Sequence, residues 1–438
     1  MKQSRPRFSP TWPWVVLAAL LLQWPLVLNP GYFSHDELQW AAFANGDLLA
    51  PWRDVSAFQY RPLTFSLWML LSRQLFDVPM AFHALLVTWG SMNAGLLFSV
   101  TRRFGLAAWP AAGGALIFAA GPFAALVHGW VGCIADLLWL SCALCAVWIA
   151  QQPSRPVVAA LAAAALTSVA LLAKEAALAI PPLLLVASIF DARRARWLAA
   201  AAGAGAVAAI WLTLRLDLLL EAPREGGQYV LQATNLPLRW LEYQLFAPLV
   251  PVQETFLTLR RPTPALVAGL LWLWLVVALL RTDRRLALLF LLGGAAALLP
   301  VLPLSGSWNH YGYGFAAVTA MTVAAAWPLA HRVDRVAIAL FAGMTLLHGL
   351  AVIQGIRTVG EVQSRFSPAL ATAVRLHEGS TPLLLHPDPD ANVWIFHRLT
   401  NDIPRYDGVP IGERVQLVEG NAPADYRILA DGRLVRLR

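Results

Sequence analysis

His35-Asp36-Glu37 sets an imidazole beside two carboxylates where an apolar run, residues 12–28, gives way to the first polar stretch of the chain. A carboxylate so placed can take a proton from a hydroxyl, and a neighbouring imidazole can tune it. Arg61, in Phe58-Gln59-Tyr60-Arg61-Pro62, stands just before a Pro-initiated helix, a position from which its fork can meet a phosphate or pair with an acid. Lys174 interrupts two apolar runs, and Lys2 is the only other lysine. An ionisable group at a membrane edge lines substrate paths, with a lipid phosphate as its natural partner. The other reading has Lys174 snorkel to the interface beside Glu175, and Asp36 and Glu37 equally read as solvated loop acids.

A second group comprises His128, Asp136, His310, Tyr311 and Tyr313. Asp136 lies two turns from His128, at the start of an apolar helix, and either hydrogen-bonds a sugar hydroxyl or packs helices as half of a buried polar pair. The turn Trp308–Tyr313 offers rings that stack on sugars, or that populate the aromatic belt of a membrane protein. His35, Asp36, Glu37 and His310 are metal-ligand types without a ligand spacing such as His-x-x-x-His, so neither metal nor cofactor is expected. Gly203, Gly205, Gly293 and Gly294 sit within apolar helices as packing residues, not phosphate loops.

The composition names the solvent in which these groups work. Of 438 residues, 58% are hydrophobic and 13% charged, 19 are Trp, and the mean hydropathy is +0.58. These values describe a polytopic membrane protein. The net charge of +8 is almost wholly arginine and reflects topology, with no nucleic-acid partner expected. Three cysteines form neither a disulfide framework nor a metal spacing.

Apolar runs near 12–29, 80–101, 107–127, 133–150, 156–172, 175–190, 197–216, 264–280, 286–303, 312–330 and 336–356 predict about eleven transmembrane helices. Lys2, Arg5 and Arg7 precede the first run, which has no small-x-small cleavage site and reads as an uncleaved helix. Arg102 and Arg103, Arg155, Arg193 to Arg196, Arg281 to Arg285, and Arg332 with Arg335 then fall on the N-terminal side, predicting a cytoplasmic N-terminus and an outer C-terminus. The opposite face holds loops 30–79 and 217–263 and the turn 304–311, and with them His35, Asp36, His128, Lys174 and His310. Segments 61–76 and 236–250 are short, Pro-flanked and charged, which suits interfacial helices.

Beyond Arg357 the apolar character drops. Residues 1–357 form the expected membrane domain and 358–438 a small soluble α/β module, with an amphipathic helix over 361–377. Strand-like runs follow at Leu383–His386, Val393–His397 and Val415–Val418, then a hairpin over Tyr426–Leu437 turning at Asp431-Gly432.

In chain order, Tyr32 to Glu37, Tyr60-Arg61-Pro62-Leu63, Phe82-His83-Ala84-Leu85 with Asn93, and His128 to Leu138 resemble the front half of the GT-C glycosyltransferases. The branch most similar is that of the protein O-mannosyltransferases and tetratricopeptide mannosyltransferases. Leu171 to Glu175 with Pro181, Phe246 to Leu249, and Leu302-Pro303 with Asn309 to Tyr313 continue the resemblance, with Cys133 and Asn309-His310 standing where that branch carries basic or Glu-Arg residues.

The resemblance implies a GT-C-like fold and a polyprenyl-phosphate sugar as donor, with a glycan, lipid or protein as acceptor. In such a transfer the leaving phosphate is already a stabilised anion, so a base on the acceptor hydroxyl suffices. Asp36 is expected as that base, Glu37 as the residue orienting the acceptor or Arg61, and Arg61 and Lys174 as the phosphate clamp. His35, His128, Asp136, His310, Tyr311 and Tyr313 are expected to bind sugar or acceptor. Direct displacement would invert the anomeric centre. An Ala- and Arg-rich, Lys-poor chain suggests a bacterial inner-membrane protein with a periplasmic site. A lipid-linked-glycan flippase and a non-catalytic assembly protein are the rival classes. The first calls for charge at mid-bilayer, whereas here it clusters at one face, and the second needs no outer acids.

Overall fold

The computed structural model describes residues 11–437 except positions 42, 154, 222–228, 251, 378–380, 419 and 421. Lys2, Arg5 and Arg7 lie outside the described residues. The apolar runs form helices because, away from water, a backbone must satisfy its polar groups internally. Among the described residues, five helices are long and apolar enough to cross a bilayer: Pro79–Arg103, Val131–Ala150, Arg194–Leu220, Pro262–Thr282 and Arg332–Leu376. Ala108–Ala120 and Pro122–Gly129 are together apolar and long enough to cross, and bend by 58° where Gly121-Pro122 removes a backbone donor.

The remaining expected segments are also helical but shorter. They are Trp12–Leu22, Pro156–Leu171, Glu175–Phe190 and Tyr313–Ala326, and a segment divided into Arg284–Leu288, a π-helical turn Leu289–Gly293 and Gly294–Leu298. The periphery is apolar. Trp109, Leu214 and Trp14 are 88%, 74% and 69% exposed, an arrangement that lipid accepts and water penalises. The fold is that of a multi-pass, all-helical membrane protein carrying a small stranded module.

Side-chain contacts gather the arginine-rich connections at one end. Arg193 donates to the Gln151 carbonyl at 3.3 Å, Arg103 lies 4.5 Å from the Trp148 ring, and Arg281 approaches Asp334 at 3.6 Å. At the other end, loop 30–79 folds into His35–Ala41, Ala50–Arg53 and Pro62–Leu75, and the second charged apolar segment forms Leu236–Phe246. Arg215, on the long helix Arg194–Leu220, holds the loop by donating to the Val55, Ala57 and Phe58 carbonyls. A bridge between Leu231 and Leu304, with Asn235 donating to the Pro303 carbonyl at 3.0 Å, ties the second loop to the 304–311 turn.

The last helix differs from expectation. It runs unbroken from Arg332 to Leu376, whereas the fall in hydropathy suggested a span ending near Arg357 and a separate helix over 361–377. Arg357 pairs with Glu361 one turn on, at 2.9 Å, and Val362, Phe366, Leu370 and Ala373 continue a buried face. Helical periodicity thus outlasts hydropathy.

The strands of the module are β1 Leu383–Pro387, β2 Arg405–Tyr406, β3 Val409–Pro410, β4 Val415–Leu417, β5 Tyr426–Ile428 and β6 Leu434–Arg436. β1 lies between β4 and β5, parallel to both, and β6 pairs antiparallel with β5 through a turn with Gly432 at φ +88°, a conformation that glycine adopts without strain. The run Val393–His397, expected as a strand, belongs to the helix Val393–Thr400. Ile395, Phe396 and Leu399 form its buried face, and Phe396 packs 4.9 Å from Phe366 on the long helix. Four apolar residues in a row fit either period, and the packing partner decides.

Candidate active site

The site is built where an apolar helix stops. Pro156–Leu171 ends, and Lys174 takes an extended conformation before the 3-10 turn Glu175–Ala179. The N-terminus of Pro62–Leu75 docks on this break. Leu63 donates to the Leu172 carbonyl at 3.1 Å and Thr64 to the Ala173 carbonyl at 2.9 Å. Arg61, one residue ahead, is thereby set against Glu175, with Nε at 2.8 Å and Nη2 at 2.7 Å from Oε2. Lys174 turns the other way and meets Asp136 Oδ2 at 2.5 Å, with both side chains nearly inaccessible, at 5% and 1%. The adjacent Lys174 and Glu175 therefore pair with different partners, not with each other.

Tyr311 closes the arrangement. Its ring lies 5.2 Å from Lys174 Nζ, a cation–π contact, and the His310 ring is 4.2 Å from that of Tyr311 and 5.3 Å from that of Trp130. Burial, reinforced by the Lys174 and Arg61 charges, holds His310 well below the ordinary imidazole value, so it is neutral. Tyr229, donated to by Gln59 at 2.9 Å, feels Arg61, Asp36 and Glu175 together. Asp36, Arg61, Lys174, Glu175, Asp136, Tyr229, His310 and Tyr311 thus form one neighbourhood.

Within the acidic motif the three residues divide. Asp36 is partly open, its side chain 30% exposed, and one oxygen meets His35 Nε2 at 3.0 Å. Glu37 is fully buried, accepting from the Ser34 N–H at 2.7 Å and the Val131 N–H at 2.8 Å. Burial pushes its carboxyl up to about 8, against those two hydrogen bonds. The expectation that Glu37 orients the acceptor or Arg61 is therefore corrected. One oxygen closes the loop on Ser34, the other staples it to Val131 at the start of Val131–Ala150, and Arg61 is held by Glu175. His35 is lowered by burial, with Asp36 opposing and Arg398 adding to the shift.

His128 and Tyr313 are corrected as well. Neither has exposed surface. His128 Nδ1 is 2.5 Å from Gln23 Oε1 and Nε2 is 2.7 Å from the Tyr313 hydroxyl. Asn93 reaches that hydroxyl at 3.4 Å and accepts from Ser141 at 2.6 Å. Gly90 makes room, since a Cβ there would fall 2.3 Å from the imidazole. These residues form an internal chain that leaves no group for a sugar. Asp136 pairs with Lys174, the alternative that sequence had left open. Asn309 is a pin, taking the Thr255 N–H and hydroxyl at 2.7 Å each.

Sequence reasoning missed Tyr229, Arg398 and Glu254. Arg398 lies 363 residues from the His35 ring it contacts, a separation no local pattern reveals. Glu254, half-buried in a cleft of about 620 Å3 beside Arg398 and Trp308, is pushed up to about 7 by desolvation, with Arg398 opposing. Among the described residues no group of His, Cys, Asp or Glu is arranged to hold a metal ion.

A second cavity, of about 570 Å3, is mostly apolar, with Asp283 and Arg285 in its lining. It runs from Ile180 and Gly314, close to the charged neighbourhood, along two helices to Phe190 and Pro328 at the arginine-rich end.

Among solved structures, the crystal structure of ArnT from Cupriavidus metallidurans bound to undecaprenyl phosphate is similar over 94% of this chain and 87% of that one, with a TM-score of 0.52 and 15% identity. The fold is GT-C-like. No protein-family model matches the chain, and no curated protein does. The relation to ArnT is therefore one of architecture, carried through the helical domain and into the terminal module.

Proposed function

We propose that this protein is a glycosyltransferase that moves a sugar from a polyprenyl-phosphate donor to an acceptor hydroxyl at the outer face of a bacterial inner membrane, with inversion. The observation that carries this reading is the pairing of an open carboxylate with two cations that retain unspent donors. Arg61 uses Nε and Nη2 on Glu175, leaving Nη1 without a protein acceptor among the described residues, and Lys174 spends one of its three N–H bonds on Asp136. Donors of this kind suit a phosphate oxygen. The apolar cavity beginning at Ile180 and Gly314 suits an isoprenoid chain, and undecaprenyl phosphate is the lipid bound by ArnT.

In this mechanism Asp36 takes the proton of the acceptor hydroxyl as its oxygen attacks the anomeric carbon. The bond to the phosphate oxygen breaks, and the polyprenyl phosphate leaves with its charge held by Arg61 and Lys174. Preorganised cations in a water-poor site supply several kcal/mol of such stabilisation. Glu175 and Asp136 keep both cations in place when the donor is absent. His310 and Tyr311, on the same side, offer flat surfaces to the sugar. The Arg61-Pro62-Leu63 and Lys174-Glu175 elements support placement near the mannosyltransferase-like branch. The arginine-rich end faces the cytoplasm, with residues 358–438 as a periplasmic module.

The test uses the purified protein in nanodiscs with labelled undecaprenyl-phosphate hexose and an envelope glycan and lipid extract as acceptor. Sugar transfer that Asp36→Asn abolishes is the expected result. Transfer undiminished in Asp36→Asn would remove the base, and transbilayer movement of the donor without transfer would make the protein a transporter.

A further inference from the structure

The C-terminal module contacts His35 of the acidic motif through Arg398. Arg398, on the helix Val393–Thr400, places Nε 2.9 Å and Nη2 2.5 Å from Nδ1 of His35, while its guanidinium lies 4.8 Å from the Trp394 ring. A guanidinium only donates. Nδ1 of His35 must therefore be the bare, accepting nitrogen, and the ring proton must sit on Nε2, which is 3.0 Å from Asp36 Oδ1. The direction of both hydrogen bonds is fixed by the arginine. Gln39 donates to the Asp402 carbonyl, so the module and the helix His35–Ala41 are also joined one turn further on.

We propose that Arg398 is a positioning residue of the transferase site, locking His35 as the neutral Nε2–H tautomer so that it hands Asp36 one hydrogen bond and leaves the other oxygen for the acceptor. This rests on the reading of Asp36 as base. An imidazole with Nδ1 free would protonate beside a carboxylate, and the resulting ion pair would make Asp36 a weaker base. The fork of Arg398 blocks that protonation at the only nitrogen available. The charged groups facing His35 are Asp36, Arg398 and Asp402, with Glu254 behind Arg398. Removing Arg398 leaves Asp36 and Asp402 to favour the imidazolium. The soluble module is then part of the catalytic centre, although the sequence reads it as an appendage.

The experiment uses the full-length protein in nanodiscs. With 15N-labelled histidine, the wild type should show His35 as the Nε2–H tautomer that does not titrate from pH 5 to 8, whereas Arg398→Gln should titrate within that range. With undecaprenyl-phosphate hexose as donor and the envelope extract as acceptor, Arg398→Gln should move the acid limb of kcat/KM up by about one pH unit, while the donor KM changes less than about twofold. Arg398→Lys, which keeps a cationic donor, should restore most of the profile. His35→Asn donates to Asp36 without titrating, so adding Arg398→Gln to it should cost no further activity.

A His35 that titrates identically with and without Arg398, or an Arg398→Gln penalty that persists in the His35→Asn background, would overturn the proposal and leave Arg398 as a packing residue. An active Asp36→Asn enzyme would instead overturn the base reading, whatever His35 does. The two failures are therefore separable.

Discussion

Two of the polar clusters within this membrane domain differ in what is left over. The chain Gln23–His128–Tyr313–Asn93–Ser141 is uncharged and closed, each member spending its groups on the next. The cluster of Asp36, Arg61, Glu175, Lys174 and Asp136 is charged and open, with an uncovered carboxylate oxygen and unspent N–H donors on both cations. Saturation is what a fold requires of a buried polar group. Unspent donors on two cations beside an open carboxylate suit a ligand.

The largest effect that tests this contrast is Asp36→Asn, expected to lower sugar transfer by about a hundredfold to ten-thousandfold with unchanged expression and thermal stability. Arg61→Ala should follow, with a loss of about a hundredfold to a thousandfold in turnover. A cluster that serves only packing would instead lose stability in proportion to activity.

Lys174→Met separates the two roles in another way. It leaves Asp136 buried without its cation, and should destabilise by about 3–5 kcal/mol in denaturation measurements. Lys174→Met with Asp136→Leu should recover that stability, because both charges are gone, and should still fail to turn over donor. Recovery of transfer in the double variant would make the pair purely structural.

On the closed side, Tyr313→Phe leaves His128 Nε2 and Asn93 short of a partner and should cost about 1–3 kcal/mol, with kcat unchanged for the folded fraction. A selective loss of kcat would break the contrast.

The smallest effect concerns Glu37. Burial pushes its folded carboxyl up to about 8, above the ordinary 4.5, so between those values the folded state holds more proton than the unfolded one. Stability from this group is greatest below about pH 4.5 and declines as pH rises to about 8. Glu37→Gln should flatten that slope in pH-dependent melting, and should lower stability at acid pH because an amide cannot accept both backbone N–H bonds.

Much of the architecture was legible because apolar runs in lipid have few solutions. Eleven apolar stretches became helices, and the interfacial segments 61–76 and 236–250 appeared as Pro62–Leu75 and Leu236–Phe246. Span boundaries were less legible, since hydropathy measures solvent and not helicity. The helix through Arg357 shows the difference. In the site, residue type identified Asp36, Arg61, Lys174, His310 and Tyr311 as one side of the molecule. It misjudged Glu37, His128 and Tyr313, because local sequence shows neither which backbone amides a carboxylate will meet nor which helix faces an imidazole. The pairing of Arg61 with Glu175 and of Lys174 with Asp136 depends on one extended residue at a helix break, which hydropathy does not register.

The helix from Arg332 to Leu376 has 45 residues and at 1.5 Å each is about 68 Å long, more than twice the thickness of a bilayer's hydrocarbon core. Its membrane half is gripped by lipid and its distal half carries the sheet and the Arg398 helix. The loop of the acidic motif is tied to that same distal half, where the Tyr32 N–H donates to Gln363 at 2.8 Å. One rod thus carries both sides of the contact between Arg398 and His35, and protein packing, not the water-facing sheet alone, sets their spacing.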